Sequence, residues 1–274
     1  MDQTSLEAVL SDLNLPAIRY FETIDSTNNE ANRWIDRGAH HLSLVVANEQ
    51  TAGRGRSGRR WVTSPGTGLA FSLILHSPPL GSGLIPRLTG LGAIAVQHTL
   101  HEIFNLTAEI KWPNDVLLNG RKVAGVLVEA HWEGETLCSA IIGIGINIAS
   151  GFVSKANHST VELDFPATCV ELETDHPVNR LEVLHAILRE FISWLPRLSL
   201  PEFISTWESA LAFHNQWVEL SNGDALSIPK DERTPASPQV GKMVGLTQDG
   251  SLKLLTSSGM LVIEPVGDIH LRPV

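Results

Sequence analysis

The sequence predicts a protein of mixed helices and strands that ends in a small all-β module. Before residue 213, apolar residues recur with helical spacing in several segments, and Asn119-Gly120 marks a hairpin between two apolar strands. After His214 the helical spacing is lost, and short strands alternate with turn dipeptides such as Asp249-Gly250 and Ser258-Gly259. This pattern is typical of a meander or a barrel. We therefore expect two domains, residues 1–213 and residues 214–274.

Length, charge and apolar content place the chain among folded proteins. It has 274 residues, of which 43% are hydrophobic, and a formal net charge of −10 at pH 7. An acidic chain is poorly suited to bind polyanions over its whole surface, so any basic cluster calls for a local explanation. Two cysteines cannot build a disulfide framework, and the sequence shows neither a signal segment nor an apolar run of membrane-spanning length. We expect a cytoplasmic protein with no membrane partner.

Helical periodicity and capping signals define the predicted helices. A first helix is expected near the N-terminus, where Thr4 and Glu7 fit a capping box. A second helix is expected to begin at Ser26, with Asp25 or Ser26 as its cap, and to stop at Gly38. Further helices are predicted over residues 85–105, 180–195 and 201–213.

Apolar runs of strand length predict the sheet. They cover residues 42–50, 69–77 and 136–149. Residues 109–118 and 122–130 form two further predicted strands that flank Asn119-Gly120, the dipeptide that best fits a two-residue primed turn. These two strands are therefore expected to be antiparallel neighbours. The polar segments 149–163 and 229–238 are predicted to be surface loops.

The segment Gly53–Trp61, GRGRSGRRW, is the most informative part of the sequence. Its first eight residues hold four arginines and three glycines, a composition that fits neither helix nor strand. Glycine lets the backbone approach a ligand closely, and guanidinium groups bind carboxylates or phosphates in bidentate fashion. The segment lacks the Gly-Lys-Ser/Thr ending of a Walker A loop. It predicts an anion-binding loop; a solvated basic loop or a nucleic-acid patch is the alternative.

A second cluster lies on both sides of the predicted hairpin turn. Asn114 and Asp115 precede the turn, and Arg121 and Lys122 follow it. Antiparallel pairing would bring Asp115 close to Lys122, which places a cation beside a carboxylate able to hold a metal ion. For Arg121 and Lys122, ordinary solvated turn residues are the alternative. Gly125, within an apolar strand, indicates close approach of a ligand to the backbone.

A third group of polar residues, Ser26, Thr27 and Asn28, lies at the start of the second predicted helix. A helix cap alone would account for Ser26. The density of hydroxyl and amide groups is not explained by capping, and a neutral polar ligand with several donors and acceptors would need such residues. Both interpretations stay open at this point.

Four motifs together resemble those of the biotin protein ligases. They are DSTN at 25–28, GRGRSGRRW at 53–61, KWPNDVLLNGRKVAGVLVE at 111–129 and GIGIN at 143–147. The resemblance is strong over residues 19–149 and weaker in the β-rich tail. It implies an α+β fold with a central mixed sheet, related to class II aminoacyl-tRNA synthetases and to lipoate ligases. A small SH3-like C-terminal domain would follow.

The resemblance also implies a two-step reaction. The carboxylate of biotin would attack the α-phosphate of ATP, giving biotinyl-5'-AMP and pyrophosphate, with Mg²⁺ as the metal ion. A lysine of a biotin carboxyl carrier protein, such as that of acetyl-CoA carboxylase, would then take the acyl group and release AMP.

The same resemblance assigns roles to individual residues. The residues implied for biotin are Ser26, Thr27, Gln50, Gly53, Arg54, Arg56, Lys122 and Gly125. The catalytic cations, which would face the carboxylate and phosphates, are Arg56, Arg59 and Lys122. The same three residues would bind the nucleotide together with Trp61, Asn114 and Asn147, and Asp115 would bind Mg²⁺.

Two other classes of protein stay open, a lipoate-type ligase and a biotin-sensing regulatory protein. The GRGRSGR segment favours the biotin ligases over the lipoate ligases, because it is the biotin family's own loop. Regulatory members carry an N-terminal winged helix-turn-helix, whereas 24 residues precede Asp25 here. We therefore expect neither a repressor function nor specific DNA binding. A homodimer and the identity of the carrier protein stay open.

Overall fold

A computed structural model describes residues 1–76, 85–151, 166–174, 176–222, 239–265 and 269–274. The loop predicted over residues 149–163 lies outside these ranges from residue 152 onward. The polar segment 229–238 lies outside them entirely.

The larger part of the protein is built on a seven-stranded mixed sheet with the strand order β1-β2-β3-β7-β6-β5-β4. Strands β1 and β2 are parallel, and the other neighbouring pairs are antiparallel. The strands are β1 (Ile18–Ile24), β2 (Ser43–Gln50), β3 (Gly68–His76), β4 (Ala108–Lys111), β5 (Asp115–Leu118), β6 (Arg121–Glu133) and β7 (Thr136–Asn147). This mixed sheet confirms the α+β fold class.

Helices cover both faces of the sheet. They are α1 (Gln3–Val9), α2 (Thr27–Ile35), α3 (Ile85–Phe104), α4 (Val170–Thr174), α5 (Arg180–Trp194) and α6 (Pro201–Ser209). Helix α3 packs on the face that carries Val126 and Ile144, which belongs to the main hydrophobic core. Helix α2 packs on the opposite face, over Gly143, because successive strand residues point to opposite sides. No described helix combines the length and the apolar character needed to cross a bilayer.

The C-terminal part forms a second, five-stranded sheet in the order β11-β10-β9-β8-β12. Its strands are β8 (Trp217–Asn222), β9 (Gln239–Leu246), β10 (Leu252–Leu255), β11 (Leu261–Glu264) and β12 (Ile269–Pro273). Strands β8 to β11 form an antiparallel meander, and β12 returns to pair with β8. The positive φ angles of Gly250 (88°) and Gly259 (81°) confirm the turns expected there.

The hairpin at Asn119-Gly120 is confirmed, because both residues have positive φ angles of 50° and 70°, as a type I′ turn requires. The single strand predicted over residues 109–118 is wrong. Strands β4 and β5 pair with each other instead, with Lys111 opposite Asp115, so the chain turns at residues 112–114. Pro113 in this turn cannot donate a ladder hydrogen bond, which explains why the apolar run is interrupted.

Two smaller expectations also differ from the structure. The first helix is capped by Asp2, whose side chain accepts a hydrogen bond from the Ser5 N–H, instead of by a Thr4 and Glu7 capping box. The sequence pattern also does not predict the short helix α4. Its five residues are too few to show a helical period, so their pattern carries no signal.

Candidate active site

A flat floor of glycines lies on the α2 face of the sheet. Gly125 of β6 and Gly145 of β7 are register partners, and the indole ring of Trp61 lies directly against them. A Cβ atom at Gly145 would overlap the ring, and one at Gly125 would lie 3.4 Å from Trp61 Cζ3 and 3.3 Å from Lys122 Cε. The protein's own side chains thus lie close to the backbone at Gly125, and the approach of a ligand expected there stays a prediction.

We predict that Gly145→Ala displaces Trp61 and weakens ligand binding much more than Gly125→Ala does. A methyl group at position 145 would overlap ring atoms, whereas the neighbour of a methyl group at position 125 is the flexible end of Lys122. Overpacking of this kind costs about 1–3 kcal/mol. Affinity for biotin, the ligand that the sequence resemblance implies, and thermal unfolding of both variants test this; equal effects at the two positions would contradict it.

A polar pocket is built where α2 begins above the sheet. The backbone N–H of Thr27 donates to Gln50 Oε1 at 2.8 Å, and the Thr27 hydroxyl lies 3.2 Å from the same oxygen. Ser72 Oγ of β3 lies 2.8 Å from Thr27 Oγ1. Ser26 occupies the N-cap position and is 2% exposed, but its side chain makes no capping hydrogen bond. Capping therefore does not explain the Ser26 hydroxyl.

The polar pocket continues as a chain of hydrogen bonds to the segment Gly53–Trp61, called the arginine loop below. Asn28 Oδ1 lies 2.6 Å from Ser72 Oγ, and Asn28 Nδ2 donates to Glu129 Oε2 at 2.7 Å. The same Glu129 oxygen accepts from Arg54 at 2.8 Å. The sequence patterns did not indicate Ser72 and Glu129. Asn28 lies against Gly143, which belongs to the GIGIN motif. The alternation of glycines in this motif was a signal that side chains lie close to the sheet here.

An ion-pair network holds the start of α2. Arg33 donates to both Asp25 oxygens, at 2.9 and 3.1 Å, and to Glu30 at 2.8 Å. The Arg33 hydrogen bonds hold the pKa of the Asp25 carboxyl well below its usual range. The network therefore fixes the position of the neighbouring Ser26 and Thr27.

We predict that the Asp25→Asn variant loses stability only where the carboxyl group is ionised. A lowered folded-state pKa stabilises the protein above the unfolded-state pKa of about 4, and this contribution is lost as the pH falls below that value. The side chains of Asp25 and Arg33 are 39% and 42% exposed, so solvent screens their interaction. We therefore expect the free energies of unfolding of wild type and variant to differ by at most about 1 kcal/mol at pH 7. Urea unfolding between pH 7 and pH 3, with Asp36→Asn at the exposed end of α2 as control, checks this. A difference that stays constant with pH would contradict the prediction.

The arginine loop folds back on itself between β2 and β3. The Gly55 N–H donates to the Arg59 carbonyl at 2.7 Å, and the Trp61 N–H donates to the Gly53 carbonyl at 2.9 Å. A side chain at Gly53 would overlap the Trp61 carbonyl, so glycine is required there. Arg56 extends to the hairpin, where one of its guanidinium nitrogens lies 3.4 Å from Asn114 Oδ1. The loop thus connects the polar pocket to the second cluster.

The second cluster has the expected pair at its centre. Lys122 Nζ lies 2.6 Å from Asp115 Oδ1 and 5.6 Å from the centre of the Trp61 ring. The backbone of Lys122 is held on its other side, because its N–H donates to the Pro166 carbonyl and its carbonyl accepts from the Thr168 N–H. Arg121 instead pairs with Glu173 at 2.7 Å, which places it outside this cluster.

Asp115 suits a magnesium ion that also binds substrate phosphates. Mg²⁺ is commonly held by one or two carboxylates together with phosphates and waters. No cluster of three or more potential metal ligands exists within the described ranges. The Asp115 side chain is 13% exposed, and its buried Oδ1 faces Lys122 Nζ. A single carboxylate of this kind fits an ion whose other ligands are phosphates and waters.

Asn114 and Asn147, the two asparagines implied for the nucleotide, are both hydrogen-bonded to backbone carbonyls. Asn114 Nδ2 donates to the Val126 carbonyl at 3.0 Å, and Asn147 Nδ2 donates to the Thr168 carbonyl at 3.0 Å. Beside Arg56 lies a cavity of about 400 Å³. Its walls are formed by Arg56, Ser57, Ile85, Pro86, Thr89 and Val126–Val128.

Fold and site define an α+β protein that binds a small molecule, with a neutral polar pocket at one end of a glycine floor and cations at the other. A family profile described as the Biotin/lipoate A/B protein ligase family matches residues 20–147. A bifunctional ligase/repressor BirA of Bacillus subtilis is 33% identical over 247 residues, which are 88% of this chain and 70% of the relative.

Two further relatives are similar over almost their whole length. The biotin–[acetyl-CoA-carboxylase] ligase of Paracoccus denitrificans is 34% identical over 87% of this chain and 94% of its own length. The biotin protein ligase of Aquifex aeolicus in complex with biotin and ATP superposes with a TM-score of 0.74 at 28% identity, covering 94% of this chain and 100% of that structure. The chain belongs to the biotin protein ligase family.

Proposed function

We propose that the protein is an ATP-dependent ligase that converts biotin to biotinyl-5'-AMP and transfers the biotinyl group to a lysine of a biotin carboxyl carrier protein. One observation carries the proposal: the polar pocket at Thr27 and Asn28 and the ion pair of Lys122 with Asp115 lie at two ends of one row of glycines, Gly143, Gly145 and Gly125, with the Trp61 ring between them. The Aquifex ligase that superposes on this chain holds biotin and ATP. The Paracoccus relative acts on acetyl-CoA carboxylase.

The polar pocket supplies the groups that the ureido ring of biotin needs. Ser26, Thr27 and Gln50 offer hydroxyl and amide groups that can donate and accept hydrogen bonds. The backbone at Gly53 and Arg54 lies beside Gln50 and would close over the ring, with Gly125 in the floor below. A neutral ring bound by neutral groups avoids the desolvation of a charge.

The cationic end of the glycine floor, formed by Lys122, Arg56 and Arg59, would stabilise the negative charge that develops in the first step. As the biotin carboxylate oxygen bonds to the α-phosphorus of ATP, the bond to pyrophosphate breaks and negative charge moves to the leaving group. Lys122, Arg56 and Arg59 would face these oxygens, and preorganised cations stabilise such charge without reorganisation. When bound at Asp115, Mg²⁺ would neutralise phosphate charge. Trp61, Asn114 and Asn147 would contact the nucleotide.

In the second step a carrier lysine would attack the acyl carbon of the mixed anhydride. The amine must be neutral to attack, so its ammonium proton first passes to solvent. The carbon–nitrogen bond then forms, AMP leaves with the electrons of the broken acyl–phosphate bond, and the nitrogen gives up a second proton to solvent as the amide forms. The adenylate would have to be shielded from water until the lysine arrives. The arginine loop, which ends at Trp61, would provide this shielding.

The other classes are the alternatives to this proposal. A lipoate-type ligase would activate an acid without a ureido ring, and a biotin-sensing regulator would bind specific DNA. The formal charge of −10 disfavours DNA as a partner, and we expect no specific duplex binding. Cytoplasmic location and a division into the domains 1–213 and 214–274 complete the proposal.

Pyrophosphate release from ATP with biotin or lipoate as the acid tests the activation step. The proposal predicts release with biotin and little with lipoate. Release that prefers lipoate would replace the proposal by the lipoate alternative, and release with neither acid would contradict both.

A further inference from the structure

The two sheets meet at the turn between β9 and β10, residues Thr247–Gly250. The indole N–H of Trp112 donates to the Gly250 carbonyl at 3.0 Å. Trp112 is 1% exposed and lies in the turn between β4 and β5, two residues before Asn114 and three before Asp115. The C-terminal sheet therefore holds the segment that carries two implied nucleotide and metal ligands.

A buried arginine makes a second connection to the same turn. Arg87 of α3 is 3% exposed, and its guanidinium group donates to the Gln248 carbonyl at 2.7 Å and to the Leu198 carbonyl at 2.6 Å. Burial lowers the pKa of Arg87. Its neighbours Pro86 and Thr89 line the cavity beside Arg56. The turn thus contacts Trp112 and Arg87, and these two residues belong to the segments that carry Asn114 and Asp115 on one side and the cavity residues Pro86 and Thr89 on the other.

The packing around the turn leaves little freedom for it to move. Trp207 of α6 lies between α3 and the turn. A Cβ atom placed on Gly90 of α3 would lie 2.6 Å from the Trp207 ring, and one placed on Gly250 of the turn would lie 2.7 Å from the same ring. Glu208 Oε1 accepts the Leu246 N–H at 2.5 Å. Met243 and Leu246 belong to the same hydrophobic cluster as Trp112 and Trp207. A close-packed contact of this kind transmits displacement.

We propose that the Thr247–Gly250 turn positions the nucleotide end of the active site through Trp112 and Arg87, which makes both residues positioning residues for ATP. The inference rests on the proposed function, because it assumes that Asn114 and Asp115 serve the nucleotide. Loss of either contact frees one wall to shift. A displacement of about 1 Å is enough to lower catalysis by up to about 100-fold.

Trp112→Phe is the informative variant, and Trp207→Phe is its matched control. Both tryptophans are buried, at 1% and 0% exposure, and both variants lose the same volume. Trp207 Nε1 has no hydrogen-bond partner in the part of the chain that the structure describes, so its variant loses no hydrogen bond. Arg87→Lys keeps the charge but cannot reach both carbonyls, and it tests the second contact.

We expect Trp112→Phe and Arg87→Lys to raise the KM for ATP about tenfold while biotin affinity, measured by calorimetry, stays within about twofold of the wild type. Trp207→Phe loses packing against Gly250 but no hydrogen bond, so we expect a similar loss of thermal stability and a clearly smaller rise in the KM for ATP than in Trp112→Phe. Equal KM values for ATP in Trp112→Phe and Trp207→Phe, or a parallel loss of biotin affinity, would overturn the inference. Absence of biotin binding in the wild type would instead overturn the proposed function.

Discussion

Lys122→Ala is expected to slow the formation of biotinyl-adenylate by about 100-fold or more while the protein stays folded. The lysine ammonium is the cation closest to Asp115, at 2.6 Å, and it lies beside the Trp61 ring at the cationic end of the glycine floor. Its removal deletes a fixed positive charge where pyrophosphate would leave. Pyrophosphate release measured under saturating biotin and ATP reports this loss directly.

The expected cost to stability is larger than the place of Lys122 beside a turn suggests. A residue beside a turn buries little area, and its loss would cost less than about 1 kcal/mol. The structure instead leaves 28% of the Lys122 side chain and 13% of the Asp115 side chain exposed, so alanine leaves a partly buried carboxylate unpaired. We therefore expect Lys122→Ala to lower the free energy of unfolding by about 2 kcal/mol.

A second variant separates the stability effect from catalysis. Adding Asp115→Asn to Lys122→Ala should restore part of the stability but none of the activity, because the unpaired charge is gone and the cation is still missing. Lys253→Ala is the matched control, since Lys253 of the C-terminal sheet is 32% exposed and lies 3.8 Å from its carboxylate partner, Glu208 of helix α6. Near-normal pyrophosphate release by Lys122→Ala would exclude this role.

Arg56→Gly is expected to make biotinyl-adenylate but to hold it poorly. Arg56 links the arginine loop to Asn114 and lines the cavity of about 400 Å³ beside the cationic end. The glycine removes this cation and also increases the freedom of a loop that already contains three glycines. The adenylate should then escape and acylate lysines of unrelated proteins.

Labelling of a bystander protein with biotin measures this escape. If the variant binds the adenylate more weakly by about 1.4 kcal/mol, release is about tenfold faster, and bystander labelling should rise accordingly. Arg60→Gly is the control, because Arg60 lies in the same loop but donates to the Thr51 carbonyl, away from the cavity. A variant that labels only the carrier protein would refute the retention role of Arg56.

Local signals were sufficient for the parts of the site that lie close together in the sequence. Asn119-Gly120 specifies a two-residue turn, and antiparallel pairing across this turn brought Asp115 and Lys122 together as expected. The start of α2 at Thr27 also agrees with the cap expected at Asp25 or Ser26, although the Ser26 side chain makes no capping hydrogen bond. In the hairpin the partners are separated by only a few residues, so turn chemistry determines the geometry.

Contacts between distant segments were not predictable in the same way. Asn28 and Glu129 are 101 residues apart, and their hydrogen bond depends on how β3, β6 and β7 align in the sheet. The Trp61 ring lies on Gly145 for the same reason. Strand order and register are global properties, and a single sequence contains no direct signal for them. The contact between Trp112 and Gly250 belongs to this class as well.

Transfer of biotin to a carrier protein is the most direct test of the whole account. The purified protein is incubated with biotin, radiolabelled ATP and an apo biotin carboxyl carrier domain, and the carrier is then analysed by mass spectrometry. We predict one biotinylated lysine on the carrier, formed only when biotin and ATP are both present, together with AMP and pyrophosphate. A carrier that stays unmodified, or that accepts lipoate in place of biotin, would contradict the account.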